Sequence, residues 1–195
     1  MRLTVKPNIL ALALIAFALV LSACASKSGG AGLTVKSANT GEKELATKSS
    51  YSYAVTKSFT DISGKRSTAS AYYVYAANYD LDAGNFAMTL DKPLTSDDNI
   101  RVVFSLVGEE GTNDKSPLKA GTYSAKADKF MKVENVGIVS RKGGTDSKFW
   151  LERNTLTGEV KVTSASADEI AGDLDVTAGD SSIKGSFKAK VLKRK

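Results

Sequence analysis

In "EIAGDLDVTAGDSSIKGSFKAKV", residues 169 to 191, the apolar side chains fall on alternate positions. Ile170, Leu174 and Val176 share one face with Gly172 before the turn, and Ile183, Phe187, Ala189 and Val191 share one with Gly185 after it. A period of two describes an extended strand with one buried face, whereas a helix needs 3.6. The two runs, joined by "TAGDSS", are expected to pair as an antiparallel hairpin. One register sets Val176 opposite Ile183, Gly172 opposite Phe187, Asp175 opposite Lys184 and Glu169 opposite Lys190. A slip of two residues keeps the same faces and sets Asp173 opposite Lys184. Either way acids meet lysines outside and apolar groups meet inside. The basic end "IKGSFKAKVLKRK" therefore reads as a solvated strand face, because Lys184, Lys188 and Lys190 alternate with core positions.

The same period runs back through the chain. Strands are expected near 51–59, 70–79, 85–90, 100–107, 121–127, 131–140, 148–153 and 158–165, then 169–176 and 182–192. "GEEGTNDKSP", residues 108 to 117, is a long charged loop closed by proline, and no segment carries a convincing amphipathic helix. The expectation is one all-β domain over 51–195, an antiparallel two-sheet sandwich. An up-and-down or lipocalin-like barrel is the alternative, since alternation does not choose the closure. Trp150 lies late, and the early Gly-x-Trp signature of lipocalins is absent.

Composition removes much of the enzyme catalogue. Of the 195 residues none is histidine and one is cysteine, so the usual acid/base at neutral pH, the commonest metal ligand and any internal disulfide are excluded. Net charge is +6, of which Arg2 and Lys6 supply two, and the surplus is carried mostly by lysine. Lysine is a solubilising point charge more than a planar reader of nucleic acid, and no nucleic-acid partner is expected.

The cysteine sits in "LVLSACASKSGG", residues 19 to 30, after thirteen unbroken apolar residues from Ile9 to Leu21. A helix of that length reaches roughly 20 Å, short of a bilayer core of about 30 Å, and with Arg2 and Lys6 ahead of it reads as a signal peptide over 1–23. Leu21-Ser22-Ala23-Cys24 resembles the lipobox of bacterial lipoproteins. That resemblance implies a diacylglyceryl thioether on Cys24, cleavage before it and acylation of the freed amine, palmitate-like chains among the anchors. The membrane is then a partner through Cys24. The residues after Cys24 lack the aspartate associated with inner-membrane retention, which implies the outer membrane. Residues 24–50, rich in Ser, Gly, Lys and Thr, read as lipidated N-terminus and flexible tether, with a short strand at 33–36.

Few residues remain to carry chemistry. The S-x-x-K spacing at Ser116/Lys119 and Ser181/Lys184 falls in a loop and at a strand start, where i and i+3 do not share a face. Asp97/Asp98 and Glu109/Glu110 are adjacent acids in hydrophilic loops; a histidine-free hydrolase would need two carboxylates facing each other across a cleft. "DLDAGN" places Asp80 and Asp82 as in the start of a calcium loop but lacks the later acids. No catalytic residue, cofactor or metal is assigned. In "SAYYVYAANYD" Tyr73, Tyr75 and Tyr79 share one face and Tyr72, Val74 and Ala76 the other, so a central strand covered on both sides is expected. Were the tyrosine face open, it would make a platform for a glycan or an envelope protein. The expected role is that of a non-catalytic structural, adhesion-like or binding protein, with hydrolysis or carriage of a small lipophile inside a barrel as alternatives.

Overall fold

A computed structural model describes residues 31–85 and 89–193, so the apolar leader and Cys24 lie outside the described residues. The C-terminal hairpin takes the first of the two registers. Strand β10 (Glu169–Ala178) meets β11 (Ser181–Leu192) with Val176 opposite Ile183 and Gly172 opposite Phe187. Lys184 pairs with Asp175 at 3.1 Å, and Lys188 reaches Glu169 diagonally at 3.0 Å. Ile170, Leu174, Val176, Ile183, Phe187 and Ala189 are buried, and Val191 is half-buried.

The strands before it are β1 (Gly32–Ser37), β2 (Gly41–Ala46), β3 (Ser49–Thr60), β4 (Arg66–Ala77) and β5 (Ile100–Val107). There follow β6 (Gly121–Ser124), β7 (Lys132–Lys142), β8 (Thr145–Trp150) and β9 (Thr157–Ala165). The sheet runs β10-β9-β6-β7-β5-β4-β3-β11, and the β10–β11 pairing closes it into a barrel of eight strands. The fold is all-β as expected, but the sandwich gives way to the barrel. The reason is the end of β11: Lys190, Val191 and Leu192 pair in parallel with Tyr51, Ser52 and Tyr53, joining two strands that a sandwich would leave as edges. The order departs from an up-and-down meander, because β6 also lies parallel to β7.

The barrel interior is filled with side chains. Phe104 and Phe187 meet edge to face with centroids 5.1 Å apart, among Val74, Leu106, Tyr123, Val160, Leu174 and Ile183. Residues 32–46, within the stretch read as a tether, form the β1–β2 hairpin; its Leu33, Val35 and Leu45 join that core. The turn of this hairpin reaches β8, where Asn39 Nδ2 donates to Ser147 Oγ at 2.7 Å. The strand expected at 85–90 is not seen in its described part. Thr89 N donates instead to Asn85 O at 2.9 Å, a helical turn.

Removing the aromatic centre of this interior has a defined cost. Phe187→Ala is expected to lower the unfolding free energy by about 3–5 kcal/mol, through lost burial and an unfilled cavity. The check is the urea midpoint at constant slope; a loss below about 1 kcal/mol would mean the interior is not closely packed there.

Candidate functional site

With the inside occupied, the candidate surface is outside, on β3, β4, β5 and β7. Register sets Tyr53, Tyr73, Ser105 and Glu134 in one row across these strands. The next row is Tyr51, Tyr75, Val103 and Gly137, extended by Trp150 of β8. Strand alternation sends Tyr72, Val74 and Ala76 inward to the core, so Tyr73 and Tyr75 must point out.

The tyrosines expected to act as a unit are separated by what covers them. Tyr75 is only 3% exposed, beneath Leu81 and Leu90 of the β4–β5 connection, and burial pushes its phenol well above the ordinary value. Tyr79 is held by Arg101, whose Nη1 donates to its hydroxyl at 3.1 Å and to Lys92 O at 2.9 Å. Tyr73 is half-buried and stacks on Tyr53 at 5.4 Å and 16°; Tyr53 also stacks on Tyr75 at 6.1 Å. The accessible shelf is therefore Tyr51, Tyr53 and Tyr73. Sequence reading missed Tyr51 and Tyr53, although "YSYAV" carries them on one face in register with Tyr75 and Tyr73.

Beside the shelf stands a carboxylate that the sequence did not single out. A register shift in the β5–β7 pairing, with Asn135 at φ 53°, marks a bulge beside Glu134. The Glu134 side chain is 4% exposed and is bound by Lys57 Nζ and by Arg153 Nη2. Burial alone would raise its pKa, but Lys57 and Arg153 outweigh burial and hold the carboxyl below its ordinary value. Arg153 stays 65% exposed, so one guanidinium face is open to a ligand. Next along β7, the Trp150 ring lies flat on Gly137: a Cβ there would meet it at 2.5 Å. Trp150 is itself 50% exposed.

Most of the other sequence candidates are placed apart and engaged, and the carboxylates of Asp98 and Glu110 are exposed. Asp80 pairs with Lys48 at 2.8 Å and Asp82 with Lys92 at 2.7 Å, so the two do not converge on one point. Among the described residues no group of three or more His, Cys, Asp or Glu could hold a metal. Asp97 accepts from Gly143 N at 2.7 Å and Gly144 N at 3.1 Å, and shares Arg141 with Asp146. Burial opposes ionisation of Asp146, but the bonds from Leu94 N and Arg141 outweigh it and lower its pKa, which suits an ion pair and not a general acid. Glu109 is bound to Lys119 at 2.8 Å, while Ser116 Oγ accepts from Asn113 N. Ser181 is buried at the start of β11, and Lys184 is on Asp175. A cleft of about 330 Å³ opens where β3 runs on past β11, floored by Ala54, Tyr72 and Val191 with Asp114 and Lys193 at its rim.

Comparison with family models, with curated proteins and with solved structures finds no match to this chain.

The acid cluster makes a pH-dependent prediction. Glu134 has a lowered folded pKa, so its contribution is present above the unfolded value near 4.5 and is lost as pH falls through the folded one. Glu134→Gln should cost about 1–3 kcal/mol at pH 7, and the gap to the unsubstituted protein should close as pH falls from about 4.5 through the lowered folded-state pKa. Denaturation midpoints across that range test it; a gap constant with pH would exclude the ionised carboxylate as its source. Gly137→Ala should push the Trp150 ring off β7, costing about 1–3 kcal/mol by overpacking, with a red shift of tryptophan emission. Unshifted emission would mean the ring does not rest there.

Proposed function

We propose that this chain is a lipid-anchored protein of the bacterial cell envelope, held by Cys24, with a non-catalytic β-barrel that binds a glycan of the envelope on its outer wall. The observation that carries the binding role is the half-buried Tyr53–Tyr73 stack beside the Glu134–Arg153 pair. Flat aromatic faces take the apolar faces of sugar rings, and the exposed guanidinium of Arg153, held in place by Glu134, can take their hydroxyls. The anchor rests on the lipobox resemblance of Leu21-Ser22-Ala23-Cys24, and the outer membrane on the residues that follow it. Two or more acyl chains on one residue suffice for stable attachment. An envelope protein in place of a glycan would use the same shelf.

Against hydrolysis, Asp97 is held by Gly143 N, Gly144 N and Arg141 and Glu109 by Lys119, while Asp98 and Glu110 are exposed. Against carriage of a lipophile, the interior is occupied by aromatic and aliphatic side chains.

Mass spectrometry of the mature N-terminus should find Cys24 first and carrying diacylglyceryl; an unmodified Cys24 or another start overturns the anchor. Purified peptidoglycan sacculi are the probe for the shelf. Tyr53→Ala with Tyr73→Ala should weaken binding at least about tenfold, the worth of one good aromatic contact. Tyr75 is left in place because its burial would confound binding with stability. Equal binding by folded double variant and parent removes the shelf from the function.

A further inference from the structure

The β3–β4 hairpin ends in "TDISGKR", residues 60–66, and carries the most exposed large apolar residue described, Ile62. Such a side chain on a floppy loop would mean little. Here the turn is closed by Asp61, whose Oδ1 accepts from Ser63 N at 2.9 Å, Ser63 Oγ at 2.7 Å and Lys65 N at 2.9 Å. Gly64, at φ 81°, donates to Asp61 O at 3.0 Å, and Asp61 N to Lys65 O at 3.0 Å. Ile62 is thus held outward by a turn that uses up its one acid.

The ground behind the tip is basic and aromatic. Phe59 meets Phe130 of the β6–β7 connection edge to face at 5.2 Å, bringing residues 126–132 beside the hairpin end. Segments 57–66 and 126–132 hold Lys57, Lys65, Arg66, Lys126, Lys129 and Lys132, against the acids Asp61 and Asp128. Lys57 is neutralised by Glu134, but Lys65, Arg66 and Lys126 are exposed, and Lys129 acts on Asp61. The acids Glu109, Glu110 and Asp114 belong to a loop that meets the hairpin farther back, at Thr56 and Thr68. The tip itself is therefore a rigid apolar point with a basic flank, which fits a surface with anionic headgroups over hydrocarbon.

We propose that the Ile62 tip is a second membrane contact, docking into an anionic phospholipid bilayer. The choice of bilayer rests on the Cys24 anchor and on chain length. Ala31 O accepts from Thr47 N, so the N-terminal segment enters beside the root of β3. From that root to the tip the hairpin runs twelve residues, about 36 Å of extended strand. The seven residues from Cys24 to Ala31 span at most roughly 25 Å. With both ends on one bilayer, the hairpin lies inclined by less than about 45° to the surface. Each attachment raises the effective concentration of the other, so a tip too weak to bind alone docks once the anchor holds.

The full chain, isolated from membranes and reconstituted, provides the test in a form carrying Ile62→Trp and Trp150→Phe. Emission should move to the blue on vesicles of phosphatidylcholine with phosphatidylglycerol, but not on phosphatidylcholine alone. Lys65→Gln with Arg66→Gln should lower the docked-to-free ratio roughly 30-fold, about fivefold for each charge. Water-like emission on anionic vesicles, or the same blue shift on neutral ones, overturns the proposal. Flotation separates this from the anchor: a chain that fails to float with neutral vesicles has lost the anchor, whatever the tip reports. Hydrogen exchange of residues 58–66 in the unsubstituted chain decides the same question if the tryptophan variant does not fold. Slowing on anionic vesicles alone supports docking, and equal exchange on both overturns it.

Discussion

Everything about this fold depends on a short seam. Lys190, Val191 and Leu192 lie parallel to Tyr51, Ser52 and Tyr53, and these three pairs turn an open sheet into a closed one. Closure removes the exposed edges that β11 and β3 would otherwise offer to another chain. It also fixes the diameter: with eight strands the interior is just wide enough for side chains to fill. The space is taken by Phe104, Phe187, Tyr123 and their aliphatic neighbours. A barrel that is full inside can recognise partners only at its mouths or on its wall.

The wall is correspondingly built as a second layer. Arg101 has 1% of its side chain exposed on the outer face of β5, a costly position for a cation. Its Nη1 bonds to the Tyr79 hydroxyl and Lys92 O, its Nη2 lies 3.6 Å from Asp91, and its Nε has no hydrogen-bond partner. The contacts join the start of the β4–β5 connection to its middle, holding Leu81 and Leu90 over Tyr75 and Val103. Glu134 plays the complementary part farther along, a buried anion between Lys57 and Arg153. Between these two polar anchors the Tyr53–Tyr73 stack is left partly open, neither sealed like Tyr75 nor free like a surface residue.

How much of this could be read from the sequence follows from which interactions are local. The β10–β11 hairpin and its two faces were legible, because apolar alternation and facing charges agree; two registers, two residues apart, satisfied both, and the chain takes the first. The boundaries of β5 are those expected, since an unbroken buried strand announces itself by composition. The closure was not legible: the seam joins residues about 140 positions apart, and alternation says nothing of who lies at the edge. The β1–β2 hairpin hid in a polar stretch because only Leu33, Val35 and Leu45 face the core. The face of Tyr73 and Tyr75 was set by strand parity, but their different exposure is decided by Leu81 and Leu90 arriving from the next connection. Glu134 was invisible for a similar reason, as its partners come from β3 and from beyond β8.

A filled barrel with an aromatic wall also constrains how an anchored protein can present that wall. The shelf at Tyr53 lies on the same strand as the tip turn, nine positions before Ile62, or roughly 30 Å along the strand. A barrel held only by a short N-terminal leash would sample every orientation that the leash permits, and the shelf would face outward only part of the time. A second contact at the far end of the same hairpin removes rotation about the axis across the hairpin and leaves rotation about its length. What decides the remaining angle is then the basic flank, since Lys65, Arg66 and Lys126 must reach one surface to meet headgroups together. Because Arg66 stands on β4, seven positions before Tyr73, strand parity ties its direction to that of the shelf, and fixing the tip also constrains the shelf's bearing.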